Sequence, residues 1–80
     1  MKNVILPELG EGIDKAVVAA WHYKVGDQVK ADDDVVELVT DKAVFNVPAC
    51  ATGEIKEIRF HHGQEVKVGE ILAIIEPLKI

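Results

Sequence analysis

The run VVELVTDKAVFNV, residues 35–47, decides how the rest of the chain is read. Val35, Val36, Leu38 and Val39 make one β-favouring segment and Val44, Phe45 and Val47 make another. Between them stand Thr40, Asp41, Lys42 and Ala43. A four-residue break of this kind between two β-rich runs predicts a hairpin with Asp41 and Lys42 at its tip.

The same grammar continues on both sides. Apolar stretches recur at residues 4–6, 16–23, 35–39, 43–47, 55–60 and 71–75, each of strand length and each bounded by Gly, Pro or Asp. Val, Ile and Thr supply 22 residues and Leu only five, a balance that suits pleated sheet better than helix. Residues 16–20 are alanine-rich, but Val17, Val18, Trp21 and Tyr23 and the lack of capping residues make a strand the better reading. The expected fold is all-β, a flattened barrel or sandwich of two small antiparallel sheets.

Sliding the chain 37 places along itself sharpens that expectation. Gly26, Val29 and Lys30 fall on the identical Gly63, Val66 and Lys67. The flanks agree in type: Val18 with Ile55, Trp21 with Ile58, Tyr23 with Phe60, Asp33 with Glu70, Val35 with Leu72 and Leu38 with Ile75. Neither half could bury its apolar face alone, so the halves are expected to pack about a pseudo-twofold axis. Under the offset the hairpin tip corresponds to residues 77–80, so the Asp41-Lys42 tip is expected at one end of the body and the chain termini at the other.

Size and charge narrow the chemistry. Eighty residues make a single domain, 1–80. A chain of this length buries only about 60–65% of its unfolded surface, which argues against a deep, dry enzyme pocket. A net charge of −5 repels nucleic-acid phosphate and anionic membrane, and neither is expected as a partner. The lone Cys50 can form no internal disulfide and no structural zinc site, and the absence of serine removes serine-nucleophile motifs. The first residues are too short an apolar run for a signal segment or a membrane span. A cytoplasmic location, or a mitochondrial matrix one, is expected.

The residues 39–43, the opening Leu6-Pro7-Glu8-Leu9-Gly10-Glu11-Gly12-Ile13, and Gly26 and Gly53, 16 before and 11 after Lys42, together resemble the lipoyl domains of 2-oxo acid dehydrogenase complexes. The resemblance spans essentially the whole chain, and the opening looks most like acyltransferase components that handle pyruvate or branched-chain 2-oxo acids. It implies lipoate in amide linkage to Lys42, with Asp41 and Ala43 recognised beside it. Biotin carriers share the fold but have a Met-Lys-Met turn, where this chain has Asp41 and Ala43. Val39 departs from the family pattern, in which an acid often stands three residues before the lysine. The implied function is a swinging-arm carrier, not an enzyme in itself, standing first in a longer dihydrolipoamide acyltransferase. The implied partners are a lipoate-protein ligase or lipoyl transferase, a thiamin-dependent 2-oxo acid decarboxylase, the acyltransferase core and dihydrolipoamide dehydrogenase. Glu8, Glu11 and Glu37 are the expected recognition acids, since charge near the tip would steer encounters with a basic entrance.

Such an anchor has to be an exposed, rigid tip with a long side chain, and Lys42 in a hairpin meets both needs. Two other readings stand beside this one: an unmodified adaptor module that binds a partner along a sheet edge, and a metal or redox protein using His61, His62 and Cys50. Adjacent histidines on an extended chain point to opposite faces, and the acids at 32–34 lack the spacing, Gly and closing Glu of a calcium loop. Both are read as solvated turns. Gly10-Glu11-Gly12 lacks the third Gly and the helix of a phosphate loop. His22 should face solvent opposite Trp21 and Tyr23, the four aromatic residues should pack in the core, and Cys50 should be a small, partly buried apolar residue.

Overall fold

The computed structural model describes residues 1–78 and contains only strands and turns among them. The eight strands are β1 (Lys2–Ile5), β2 (Lys15–Trp21), β3 (Gln28–Val29), β4 (Asp34–Val39), β5 (Val44–Pro48), β6 (Gly53–Ile58), β7 (Glu65–Lys67) and β8 (Ile71–Pro77). They form two four-stranded antiparallel sheets, in the orders β1-β8-β6-β3 and β5-β4-β2-β7. The six expected strands are present with ends moved by a few residues. Strands β3 and β7, two and three residues long, were not expected.

The 37-residue repeat is written into the register. In one sheet β2 meets β4 through Val17–Val39, Val18–Leu38, Ala20–Glu37 and Trp21–Val36, with a bulge between Val18 and Ala20. In the other, β6 meets β8 through Glu54–Glu76, Ile55–Ile75, Glu57–Ile74 and Ile58–Ala73, with its bulge between Ile55 and Glu57. Every pair is the other shifted by 37, bulge included. The turns repeat as well: the Gly26 N–H donates to the Ile55 carbonyl at 2.8 Å and the Gly63 N–H to the Val18 carbonyl at 2.9 Å.

Those two bonds cross between the halves, and the short strands do the same. Strand β3 of the first half pairs with β6, and β7 of the second half pairs with β2. Each half therefore completes the other's sheet, which is the structural reason that neither could stand alone.

Inward residues supplied by both sheets form one core. Val18, Val35, Val36, Leu38, Ile55, Val66, Leu72, Ala73 and Ile75 are all buried; alternation accounts for most of them, and the neighbours Val35–Val36 and Leu72–Ala73 are both buried where the register is irregular. At one point the backbones approach so closely that only glycine fits: a Cβ on Gly53 would overlap the Glu76 carbonyl. Trp21, Tyr23 and Phe60 are half-buried against the core, with the Trp21 indole N–H donating to the Phe60 carbonyl at 2.8 Å. Phe45 is only half-buried, near the sheet edge. Cys50 corrects an expectation, for it is exposed: Val47 and Ala49 point inward, so the residue after Ala49 points out.

Candidate functional site

The turn joining β4 to β5 is built by Thr40. The ladder closes at the Val39–Val44 pair, and the Thr40 N–H donates to the Ala43 carbonyl at 2.9 Å. The Thr40 hydroxyl oxygen then accepts the N–H groups of Lys42 and Ala43, both at 3.1 Å. A side-chain oxygen replaces the backbone carbonyl that would ordinarily close such a turn. Asp41, Lys42 and Ala43 are consequently held in backbone while their side chains stay exposed. Thr40 was missed as a functional residue in the sequence, although a hydroxyl two residues before the tip is the signal that could have found it.

Beside the turn lies an open hollow of about 370 Å³, lined by residues 12–17, residues 39–42 and Glu65. Three parts of the chain meet there: the loop before β2, the β4–β5 turn and the edge strand β7. The acids that line the hollow are Asp14, Asp41 and Glu65. Glu65 is paired with Lys15 at 3.6 Å, but both side chains are more than half exposed and the pair holds little energy. Among the described residues no ion pair occupies the Lys42 ammonium. A group attached to that nitrogen would displace no partner, so Lys42 fits a covalently carried group.

None of the three expected recognition acids lines this hollow. Glu8 and Glu11 lie with Val68 on a shallow surface that adjoins it, the two sharing Gly12, Ile13 and Asp14, and Glu37 lies on the outer face of β4, opposite Asn46 and Ala20. The loop does reach the hollow, but through Gly12, Ile13 and Asp14. The adjacent histidines sit in a turn, where the His61 N–H donates to Gln64 Oε1 at 2.7 Å. His22 is exposed, with a ring nitrogen 3.3 Å from Asn46 Oδ1. Asp33 accepts the Lys30 N–H at 3.1 Å and the Tyr23 hydroxyl at 3.4 Å. No group of three His, Cys, Asp or Glu side chains among the described residues could hold a metal ion.

Comparison with known proteins bears on this geometry. The biotin/lipoyl family model, described as "Biotin-requiring enzyme", matches residues 2–75. A dihydrolipoyllysine-residue succinyltransferase component of a 2-oxoglutarate dehydrogenase complex from Haemophilus influenzae is 40% identical over 73 residues, 91% of this chain and 18% of that protein. The acetyltransferase component of a pyruvate dehydrogenase complex from Staphylococcus aureus is 32% identical over 71 residues, 89% of this chain and 16% of that one. The chain thus spans less than a fifth of the length of these curated relatives. The solution structure of the lipoyl domain of the 2-oxoglutarate dehydrogenase complex from Azotobacter vinelandii superimposes with a TM-score of 0.76 at 38% identity, covering 95% of this chain and 96% of that one. Kluyveromyces lactis urea carboxylase shares the fold at TM-score 0.80 and 23% identity, over 94% of this chain and 6% of that one. Components of 2-oxoglutarate and of pyruvate dehydrogenase complexes are thus both among the relatives of this chain.

Proposed function

This chain belongs to the biotin/lipoyl family as a lipoyl-type carrier domain rather than a catalytic unit, and we propose that Lys42 carries lipoate in amide linkage and serves a 2-oxo acid dehydrogenase complex. The observation that carries this reading is an exposed lysine fixed at the end of a hairpin by the Thr40 hydroxyl, between an Asp and an Ala. When bound, lipoate supplies a dithiolane that accepts an acyl group and reducing equivalents and passes them on. The chain's own part is placement. Thr40 holds the Lys42 backbone, the two sheets make the platform rigid, and the lysine stem gives reach. Acylation of Lys42 removes its positive charge and leaves Asp41 and Asp14 beside the Lys15–Glu65 pair, a net-acidic face suited to a basic entrance.

The partners under this reading are a lipoate-protein ligase or lipoyl transferase, a thiamin-dependent 2-oxo acid decarboxylase, an acyltransferase core and dihydrolipoamide dehydrogenase. The matched segment is a small part of much longer relatives, which supports the domain 1–80 as a module joined to an acyltransferase core. Its place of work would be the bacterial cytoplasm or the mitochondrial matrix.

The test is intact mass with peptide mapping after incubation with lipoate and a lipoate-protein ligase. One lipoyl group on Lys42 is expected, and none on the Lys42→Arg variant. Modification of that variant at another lysine would remove the reading, and biotin on Lys42 in place of lipoate would move the chain to the other branch of its family. Reductive acylation by 2-oxoglutarate and pyruvate decarboxylases in turn, with free lipoamide as reference, identifies the substrate.

A further inference from the structure

The Lys42 end of the β5-β4-β2-β7 sheet carries an outward row of apolar side chains that packing does not explain. Val18 and Leu38 point into the core, so their neighbours Val17 and Val39 point out. The register continues the row to Val44 on one side and to Glu65 on the other. Val17 is 36% exposed and Val44 59%. The pseudo-twofold provides an internal control. Its counterpart to the hollow beside Lys42 is one of about 210 Å³ at Gln28, Gly53, Glu54, Lys56, Glu76, Pro77 and Leu78. There the positions of Val17 and Val39 are filled by Glu54 and Glu76, bridged by Lys56 at 3.2 and 3.1 Å. The same backbone is thus finished with charge at one end and with valine at the other. An exposed apolar row that the fold does not need marks a contact surface.

Its occupant is set by what is attached there. Lys42 itself lines the hollow, together with Ile13, Val17 and Val39. We propose that this hollow is a docking shelf for the eight-carbon acyl chain carried by Lys42, so that the arm lies folded on Ile13, Val17 and Val39 for much of its time and is released when a partner binds. The inference rests on lipoylation of Lys42. Apolar burial favours the folded arm, and the hollow's openness to solvent keeps docking reversible. Folding the arm down would limit access of solutes to the dithiolane between encounters.

The test compares methyl spectra of the lipoylated and unmodified domain. Methyl signals of Ile13, Val17 and Val39 should shift and show contacts with the arm's methylene protons, while those of the remote Val25 should not. A double variant, Val17→Glu with Val39→Glu, copies the charged pair of the matching end on an outward face. If the arm is docked about two-thirds of the time, this variant should speed reduction of the dithiolane by a water-soluble phosphine about threefold. Unmoved methyl signals in the lipoylated domain, with unchanged reduction in the variant, overturn the shelf. Intact mass separates the two levels: a lipoylated domain with a free arm sinks the shelf alone, whereas a domain that takes no lipoate sinks the carrier reading and the shelf with it.

Discussion

The two hollows are one structural solution finished in two ways. Around Lys42 the rung Glu65–Val17–Val39 lies beside a designed turn. Around Pro77 and Leu78 the matching rung is Gln28–Glu54–Glu76, cross-linked by Lys56. Buried positions obey the repeat closely, as Val18 and Ile55, or Leu38 and Ile75, testify. The outward positions obey it only where they serve backbone geometry. Core residues answer to the duplicated fold, which both halves share. Outer residues at the tip answer to what the tip does, and in that the halves differ.

The largest expected effect lies in the part that is shared. Leu38→Ala and Ile75→Ala each remove a fully buried side chain from equivalent rungs, and each should cost about 2–5 kcal/mol in chemical denaturation. The two costs should agree closely if the cores are equivalent. A loss near zero for one, with a large loss for the other, would break the symmetry at the level of packing.

A second change sharpens the same comparison. Gly53 is the counterpart of Ala16, and the two sites are not interchangeable, because only at Gly53 does the neighbouring carbonyl of Glu76 occupy the space of a Cβ. Gly53→Ala should destabilise by about 1–3 kcal/mol through displaced backbone. Ala16→Gly should cost about 0.5–1 kcal/mol. Equal small costs at both would mean that the sheets relax freely there.

Much of this was legible in the sequence. Strand alternation and Gly or Pro punctuation identified six strands, and the 37-residue offset identified which core residues are equivalent. Neither could supply β3 and β7: two or three residues carry no periodicity, and the offset states that they match without stating which sheet they join. The crossing of each into the other half's sheet is a tertiary fact. The tip was legible as Asp41, Lys42 and Ala43, but its rigidity depends on a hydroxyl contact at Thr40. The valine row needed the cross-strand register, and Glu65 reaches the site through a strand that the sequence did not reveal. The mistake at Cys50 had a remedy in plain sight, since alternation after Val47 and Ala49 turns it outward. Of the acids, Glu8 and Glu11 stand on a surface adjoining the hollow and Glu37 on the outer face of β4, while Asp14 and Glu65 line the hollow itself, a placement that needs the fold.

A smaller effect separates rigidity from stability. Thr40→Val keeps the shape of the side chain and removes the oxygen that accepts the Lys42 and Ala43 N–H groups. Those groups are exposed and can turn to water, so the cost in denaturation should be about 0.5–1.5 kcal/mol. Lipoylation at limiting ligase should nevertheless slow, because the enzyme then meets a looser turn. An unchanged rate would show that the ligase reads Asp41, Ala43 or the sheet face and not the ordering of the backbone.

The smallest effect concerns a pair in which the halves differ by one hydroxyl. Tyr23 corresponds to Phe60, and Asp33 to Glu70. The negative charge of Asp33, reinforced by slight desolvation and by its hydrogen bond to the phenol, holds the Tyr23 pKa above its ordinary value of 10.0. A raised folded value means that the native state keeps its proton longer than the unfolded chain does. The linked stabilisation is therefore complete below the unfolded pKa and is lost as pH rises through the folded one. Ultraviolet titration should show the single tyrosine ionising above pH 10, and Asp33→Asn should bring it down, because the charge is the first cause of the shift. Glu70→Gln should leave it in place, since that acid faces Phe60's half of the molecule, where there is no phenol to titrate. If Asp33→Asn has no effect while Glu70→Gln does, the pairing of Tyr23 with its own half is wrong, and with it the register on which the comparison of the two ends depends.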